Sequence, residues 1–232
     1  MSSNILLSAY QSSDFFGKCI FIALFFLSIL TWYIFVQKLV QLRTLEGHKR
    51  RFVQTVRDLG NILSGETVSG GMSFSTVYHN IRTKAVRLLE KNHYFQPSEN
   101  GNATFLVKDD IDMLNDSTLS LIENEVKILQ KELVVLSTIV TLAPFLGILG
   151  TVWGILISLT SLGEAGSLIG NQNVLSGLTT ALATTVLGLV IAIPALIFHN
   201  IAKVRIHNFA ASLSDFGFEM IETIEIQFRR VL

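Results

Sequence analysis

The sequence predicts an all-α membrane protein, with three transmembrane helices and long cytoplasmic helical extensions. Its mean hydropathy is +0.50, and only 16% of its residues are charged, against roughly 25% in soluble domains. Three uncharged runs are each long enough for a helix to cross about 30 Å of hydrocarbon. Outside these runs, apolar residues recur at helical spacing.

The first transmembrane helix is predicted at residues 19–37, after a short N-terminal segment, residues 1–18. Lys18 before an apolar core is also typical of a secretory signal peptide. However, this core is long, lacks an A-x-A cleavage site and ends in "WYIFVQKLVQLR", where interfacial aromatic residues precede cations. We therefore interpret it as a retained span.

The second and third transmembrane helices are predicted at residues 133–163 and 174–202. The loop between them, residues 164–173, is short and rich in Gly and Asn, which predicts a tight antiparallel hairpin. Glu164 in this loop is interpreted as a solvated charge, with a functional carboxylate at a pore mouth as the alternative.

Lys and Arg are distributed unevenly, and this predicts the orientation. Thirteen lie between Lys38 and Lys131, four from Lys203 onward and one before the first span. The loop between the second and third spans has none. By the positive-inside rule, residues 38–132 and 203–232 are cytoplasmic and the N-terminus is outside.

The cytoplasmic residues 38–132 contain three amphipathic helical patterns, separated by polar loops at 64–73 and 96–102. Asp109 or Asp110 is expected to cap the third helix, which continues without a break signal into the second span. An apolar stripe likewise continues the third span into the C-terminal segment as one long helix. These stripes indicate packing within a helical bundle, with a docking surface as the alternative.

No pattern in the sequence points to an enzyme, a metal site or a cofactor. There is no P-loop, no dinucleotide fingerprint, no plausible Ser/His/Asp grouping and no basic surface for nucleic acid. The five histidines lack metal-ligand spacing. Cys19 lies among apolar residues and is interpreted as a buried, inert thiol.

Small and hydroxyl-bearing residues recur in the second and third spans at spacings of three and four. Within lipid, such residues permit close helix approach and hydrogen bonds between helices. We predict that they form helix-packing or pore-lining stripes. The residues are Gly147, Gly150, Gly154 and Ser158 in the second span, and Gly177, Ala181, Thr184, Gly188 and Ala192 in the third.

Two threonines in these spans lie at matching depth when residues are counted inward from the loop. Thr151 and Thr185 are each about 18 Å inside, a little past the middle of the hydrocarbon. Their hydroxyls bond either to carbonyls of their own helix or within a bundle interior. By the same count, Pro144 and Pro194 mark the inner boundary, where each is expected to kink its helix.

Two segments, "APFLGILGTVWGI" (143–155) and "ALATTVLGLVIAIPALIFHN" (181–200), resemble the paired signature of the TolQ/ExbB/MotA proton-channel family. The end of the first span, "LTWYIFVQKL" (30–39), also resembles TolQ and ExbB, and three spans favour that branch over the flagellar one. The resemblance implies a subunit of the bacterial inner membrane, with residues 1–18 and the loop 164–173 in the periplasm.

The resemblance also implies a ring-forming homo-oligomer, a pentamer, around the single spans of a TolR/ExbD-like partner with a membrane aspartate. Proton flow through such a ring moves the partner, which acts through a TolA- or TonB-like protein in envelope maintenance or outer-membrane import. The family's pore threonines correspond to Thr151 in "GTVWG" and Thr185 in "ATTVLG".

One position of the proton pathway departs from the family pattern. Where TolQ and ExbB have a glutamate in "EAL", this chain has Thr180 in "TAL", about 10 Å from the outer face. The outer carboxylate is therefore absent, which keeps a non-conducting scaffold of the same type of complex as the alternative to a proton-channel subunit. A stand-alone multispan transporter is a third hypothesis. Tol-like and TonB-like client systems, and proton and sodium as the ion, are all compatible with the sequence.

Overall fold

The computed structural model describes residues 5–58, 72–95, 105–165 and 171–228. These residues form five α-helices: α1 (Ile5–Ser12), α2 (Phe15–Asp58), α3 (Met72–Phe95), α4 (Lys108–Ala165) and α5 (Asn171–Phe228). Segments of α2, α4 and α5 are long and apolar enough to cross a membrane. The predicted fold class, an all-α membrane protein with three membrane-length helices, is therefore confirmed.

The helices are longer than the predicted spans. α4 and α5 each have 58 residues and contain the predicted continuations into the cytoplasmic segments. α2 also continues, over 44 residues, although no continuation of the first span was predicted. Gly47 is the only glycine or proline in that extension, and a single glycine is too weak a break to end a helix. The short helix α1 was not predicted either.

Parts of the predicted loops lie outside the described residues. These parts are 64–71 and 96–102 between the first and second spans and 166–170 between the second and third spans. The side chain of Glu164, in the last turn of α4, is also outside what the structure describes.

The chain divides into two compact units. The first comprises Met1–Lys38 and Glu132–Ala202, and therefore holds α1 and the predicted spans. The second comprises Leu39–Lys131 and Lys203–Leu232, and holds α3 with the remaining parts of α2, α4 and α5.

The second unit has an aromatic core formed by the predicted apolar stripes. Phe74 of α3 packs edge-on against Phe209 and Phe216 of α5, with ring centroids 5.6 and 5.5 Å apart. Phe52 of α2 lies 6.0 Å from Phe216, and Tyr78 of α3 is fully buried. The stripes on these helices thus pack on one another, as expected of a helical bundle.

The start of α4 is stabilised by Asp110, although not as a simple N-cap. Asp110 lies inside the first turn, and its Oδ2 accepts a hydrogen bond from the backbone N–H of Val107 at 3.1 Å. The same oxygen accepts from Asn92 Nδ2 of α3 at 2.7 Å. The carboxylate reaches back to the residue before the helix, as the acidic member of a capping box does, and ties α4 to α3.

Cys19 is exposed on α2, so the prediction of a buried thiol was wrong. Apolar residues nearby on α2 are divided: Ile20 is 4% exposed, whereas Ile22 is 58% and Phe25 69% exposed. In a membrane span, apolar residues also cover the surface that faces lipid. An apolar sequence around a residue therefore does not indicate burial there.

Candidate functional site

The membrane-spanning parts of α4 and α5 meet along a seam of small residues. A Cβ atom added at Gly150 would lie 2.7 Å from Thr184 Cβ, and one at Gly154 would lie 2.8 Å from Ala181 Cβ. A Cβ at Gly188 would lie 2.6 Å from a backbone carbonyl oxygen of α4. The backbones approach so closely that no side chain fits at these glycines.

Most of the remaining predicted stripe residues are buried along or beside this seam. Ser158 hydrogen-bonds through its Oγ to the carbonyl of Val174, 3.3 Å away on α5. Thr184 is 1% exposed, and its hydroxyl donates to the carbonyls of Ala181 at 2.7 Å and Gly147 at 3.3 Å. Gly177 lies against α4, and Ala192 is 6% exposed. The stripes of α4 and α5 therefore face each other within one chain, and these buried side chains leave little surface for a further helix.

Both prolines lie inside continuous helices. α4 passes through Pro144 and α5 passes through Pro194 without interruption. Each proline lacks the N–H that would bond to the preceding turn, which is the reason to expect a kink. The kink at the inner boundary stays a prediction.

Thr151 and Thr185 are partly exposed residues, whereas Thr184 is buried. Thr185 Oγ1 donates to the carbonyl of Gly147 on α4 at 3.0 Å. Thr151 Oγ1 donates to the carbonyl of Ile148 in its own helix at 2.6 Å. One hydroxyl thus bridges the two helices and the other bonds locally.

These two threonines lie on the side of the α4/α5 pair that faces away from α2. Trp153, whose ring lies 4.5 Å from that of Phe16 on α2, follows Thr151 by two residues, about 200° around α4. Phe198, stacked on Phe35 of α2 at 3.6 Å, follows Thr185 by about 220° around α5. On each helix, the residue that contacts α2 is therefore nearly opposite the threonine.

The two threonines are not level with each other, contrary to the depth count. Thr185 lies beside Gly147, which is four residues, or about 6 Å, from Thr151 along α4. The seam sets this register, because the glycines of α4 must lie against Thr184 and Ala181. Counting from assumed loop ends cannot detect that constraint.

Thr180 is on a different face of α5 from Thr185. It is 7% exposed, and its Oγ1 donates to the backbone carbonyl of Ala9 on α1, 3.3 Å away. Beside it, Ala9, Phe21 and Ala183 form a small buried cluster. The side chain that stands where the family pattern has glutamate thus contacts the short N-terminal helix.

The sequence analysis missed the role of Asp14. Its Oδ1 and Oδ2 accept hydrogen bonds from the backbone N–H groups of Gly17 at 3.0 Å and Phe16 at 3.3 Å, so it caps α2. Trp153 Nε1 donates to Oδ2 at 2.9 Å. Partial burial raises the pKa of Asp14, but these hydrogen bonds together outweigh it, and the pKa lies below its usual value. The signal was an aspartate directly before an apolar run.

A second missed feature is an ion pair between α2 and α4. Lys38 Nζ lies 2.8 Å from Glu132 Oε2, and the lysine side chain is only 4% exposed. Gln37 Nε2 donates to Glu132 Oε1 at 3.4 Å. Lys38 directly follows the first predicted span and Glu132 directly precedes the second. Their opposite signs were the signal in the sequence that could have indicated the pair.

Comparisons with known proteins show which family the sequence resembles. The model of the MotA/TolQ/ExbB proton channel family matches residues 92–215, which include the seam and both threonines. A "Biopolymer transport protein ExbB" from Salmonella typhimurium is 29% identical over 217 residues, 91% of this chain and 83% of that protein. Its namesake in Pseudomonas putida is 28% identical over 207 residues, 89% of this chain and 59% of that protein. Another, from Aquifex aeolicus, is 42% identical over 81 residues, 34% of this chain and 54% of that protein.

Proposed function

Because the chain belongs to the MotA/TolQ/ExbB proton channel family, we propose that it is the proton-conducting subunit of an inner-membrane motor that uses proton motive force to move a partner protein. The observation that carries the proposal is the common side of Thr151 and Thr185, away from α2. Leu182 at 60% and Ile155 at 44% exposure lie on this side as well. An otherwise apolar surface with two hydroxyls suits a narrow conducting path between chains.

The titrating group in this proposal comes from another chain. The predicted spans, residues 19–37, 133–163 and 174–202, contain no Asp, Glu, Lys or Arg. A threonine hydroxyl can relay a proton or hold a water, but it does not titrate near neutral pH. We therefore assign the carboxyl to a TolR/ExbD-like single-span partner with a membrane aspartate. Burial disfavours the charged form of that carboxyl, so it carries its proton past the threonines as the neutral acid.

The energy available fits a motor that uses several protons. Each proton gains about 2.3 kcal/mol per 100 mV of membrane potential. A shift of a two-state equilibrium from about 1:99 to 99:1 takes about 5.5 kcal/mol. Two protons per step supply this energy at about 120 mV and three supply it at about 100 mV, so a decisive movement of the partner needs two or more protons.

The proposed assembly is a homo-oligomer, a pentameric ring, that encloses the partner spans and acts through a TolA- or TonB-like protein. The N-terminus and the loop 164–173 are assigned to the periplasm, and residues 38–132 and 203–232 to the cytoplasm. The support is the distribution of Lys and Arg, none of which lies in residues 132–202. Envelope maintenance and outer-membrane import are the two processes that such a complex serves in this proposal.

Substitution of each threonine by valine, which has a similar shape but no hydroxyl, tests the proposal. The variants Thr151→Val and Thr185→Val are compared with Thr160→Val and Thr179→Val, whose exposed hydroxyls bond only to carbonyls of their own helices. Complexes with the single-span partner are reconstituted in vesicles, and proton uptake is followed with an internal pH dye under an imposed potential. We expect a loss of proton flux of severalfold, up to about tenfold, in the first pair alone, since a hydrogen bond between neutral groups contributes about 0.5–1.5 kcal/mol.

The same experiment separates the competing functions. Full flux in both Thr151→Val and Thr185→Val would exclude a conducting role for these threonines. Assembly with the partner but no flux in the unmodified protein would favour the non-conducting scaffold. Flux from this chain in the absence of any partner would favour a stand-alone transporter. Size-exclusion chromatography of each variant shows whether the assembly is retained.

A further inference from the structure

An apolar groove of about 440 Å³ lies among α1, α2 and α5 in the membrane-spanning unit. Phe21, a buried residue of its lining, is packed edge-on against Tyr10 of α1, with ring centroids 5.9 Å apart. Only Tyr10 and Ser28 among its lining residues carry a hydroxyl, and none is charged. The rim is exposed, with Phe25 at 69% and Val190 at 59%. The groove is therefore accessible from the outside of the chain, and its size is in the range of small-ligand sites.

The groove has the depth of one leaflet of a bilayer. Its lining on α2 extends from Phe21 to Ser28, about 10 Å along the helix. Measured from Lys18, the distance to Ser28 is about 15 Å, which is half of the roughly 30 Å of hydrocarbon. The hydrogen bond of Asp14 to Trp153 puts the start of α2 about 15 Å below the loop ends used in the earlier depth count, so we take Lys18, the last charge before the uncharged run of α2, as the outer boundary instead. An acyl chain that enters beside Lys18 and ends near Ser28 would then occupy the outermost half of that run.

The charge nearest to the groove along α2, that of Lys18, fits a phospholipid headgroup. Lys18 precedes Phe21 and Ile22 by three and four residues, so it lies on the same face of α2, one turn closer to the helix start. A lysine at that level extends its ammonium group to the interface while its methylene stem covers apolar surface. The phosphate of a lipid is the anion that the bilayer supplies at this level.

We propose that this groove binds an acyl chain of a membrane phospholipid, whose phosphate contacts the ammonium group of Lys18. The bound chain covers Phe25 and Val190 and fills the space between α2 and α5 beneath α1. The site is separate from the side of α4 and α5 that carries Thr151 and Thr185, so it does not depend on proton conduction.

Photo-cross-linking from two adjacent phenylalanines tests the proposal. Phe25 and Phe26 are 69% and 63% exposed, but only Phe25 lines the groove. Each is replaced in turn by p-benzoylphenylalanine, and the protein is reconstituted in vesicles of phosphatidylethanolamine and phosphatidylglycerol. The complex is then extracted into detergent, irradiated and weighed by intact-mass spectrometry. We expect a phospholipid adduct with Phe25→p-benzoylphenylalanine that exceeds the adduct from the Phe26 position severalfold.

A second pair of variants fills the groove. Val190→Trp places a larger side chain in it, whereas Val186→Trp changes a valine of similar exposure, one turn earlier on α5, that does not line it. Val190→Trp should lower the adduct at position 25 severalfold, and Val186→Trp should leave it unchanged. Leu187→Phe, a smaller change in the lining, serves the same purpose if Val190→Trp does not fold. Lys18→Gln should lower the adduct as well.

Three results would overturn the proposal, and a fourth would remove one part of it. Equal lipid adducts at positions 25 and 26 would mean that only the general lipid shell was captured. A covalent dimer of the chain at position 25 would mean that a second copy covers the groove. An adduct that is unaffected by both Val190→Trp and Leu187→Phe would place the lipid elsewhere, and one unaffected by Lys18→Gln would remove the headgroup contact.

Discussion

The hydroxyl of Thr180 on α5 donates a hydrogen bond to the backbone carbonyl of Ala9 on α1, over 3.3 Å. The same carbonyl accepts a shorter bond, 2.6 Å, from Ser13. A carboxylate can only accept hydrogen bonds, so a glutamate at position 180 could not make this contact. At position 180, where the family pattern has glutamate, threonine therefore supplies the donor that the contact with α1 requires.

The Thr180 contact predicts an unequal response to two substitutions. Thr180→Val should destabilise the packing of α1 by at most about 1 kcal/mol, since Ser13 still satisfies the Ala9 carbonyl. Thr180→Glu should cost about 1–3 kcal/mol, because it buries an acceptor against an acceptor. Hydrogen exchange of the α1 amides measures both. Thr179→Glu, at an exposed neighbour, is the control, and equal exchange in the two glutamate variants would contradict the prediction.

Alanine should have opposite effects on stability at a glycine inside the α4/α5 seam and at one outside it. Gly150→Ala should destabilise the protein by about 1–3 kcal/mol, because its Cβ would lie 2.7 Å from Thr184 Cβ. Gly47→Ala meets nothing within 4 Å and should stabilise α2 by up to about 1 kcal/mol. Thermal unfolding in detergent, followed by circular dichroism, measures both shifts. A Gly150→Ala protein as stable as Gly47→Ala would mean that the helices separate readily.

The ion pair of Lys38 and Glu132 should contribute more than an exposed pair does. Lys38→Met leaves Glu132 without its cation in a partly buried site and should cost about 1–3 kcal/mol. Lys127→Met breaks a 3.7 Å pair with Glu123 in which both side chains are about 70% exposed, and should change stability by less than about 1 kcal/mol.

A double variant separates the pair from the packing of the lysine stem. Lys38→Met combined with Glu132→Leu should recover much of the stability, because no unpaired charge remains. Urea or thermal unfolding in detergent measures the recovery. A double variant no more stable than Lys38→Met would assign the effect to the methylene stem instead.

The contact of Asp14 with Trp153 should respond to acid. The pKa of Asp14 is lower in the folded protein than its ordinary value, so the stabilisation is complete above about pH 4 and is lost as the pH falls through the lower folded value. Emission of Trp153, measured with Trp32→Phe as background, should therefore change below about pH 4. The change should be absent in Asp14→Asn, and an unaltered titration in that variant would assign it to another group.

The long helices were predictable because hydropathy and charge placement depend only on local sequence. The uncharged runs identify all three membrane-length helices, and the apolar stripe beyond Lys203 identifies the extension of α5. The contacts between helices were not predictable in the same way. A stripe of small residues looks the same in sequence whether it packs on the next helix of its own chain or on another chain. For this reason, the contact of Gly150 with Thr184 and the offset of Thr151 from Thr185 could be determined only from the three-dimensional structure. The short helix α1 has only 8 residues, too few for a clear helical period.

The glycine contacts between α4 and α5 have a mechanical consequence. Gly154 lies against Ala181 and Gly177, and Gly188 lies against a backbone carbonyl, so the two helices interlock at the level of their main chains. A slide by one helical turn, about 5.4 Å, would bring larger side chains into spaces that do not admit even a methyl group. Within this chain, the α4/α5 pair therefore moves as one rigid body. Any sliding that accompanies transport takes place along the outer faces of this pair.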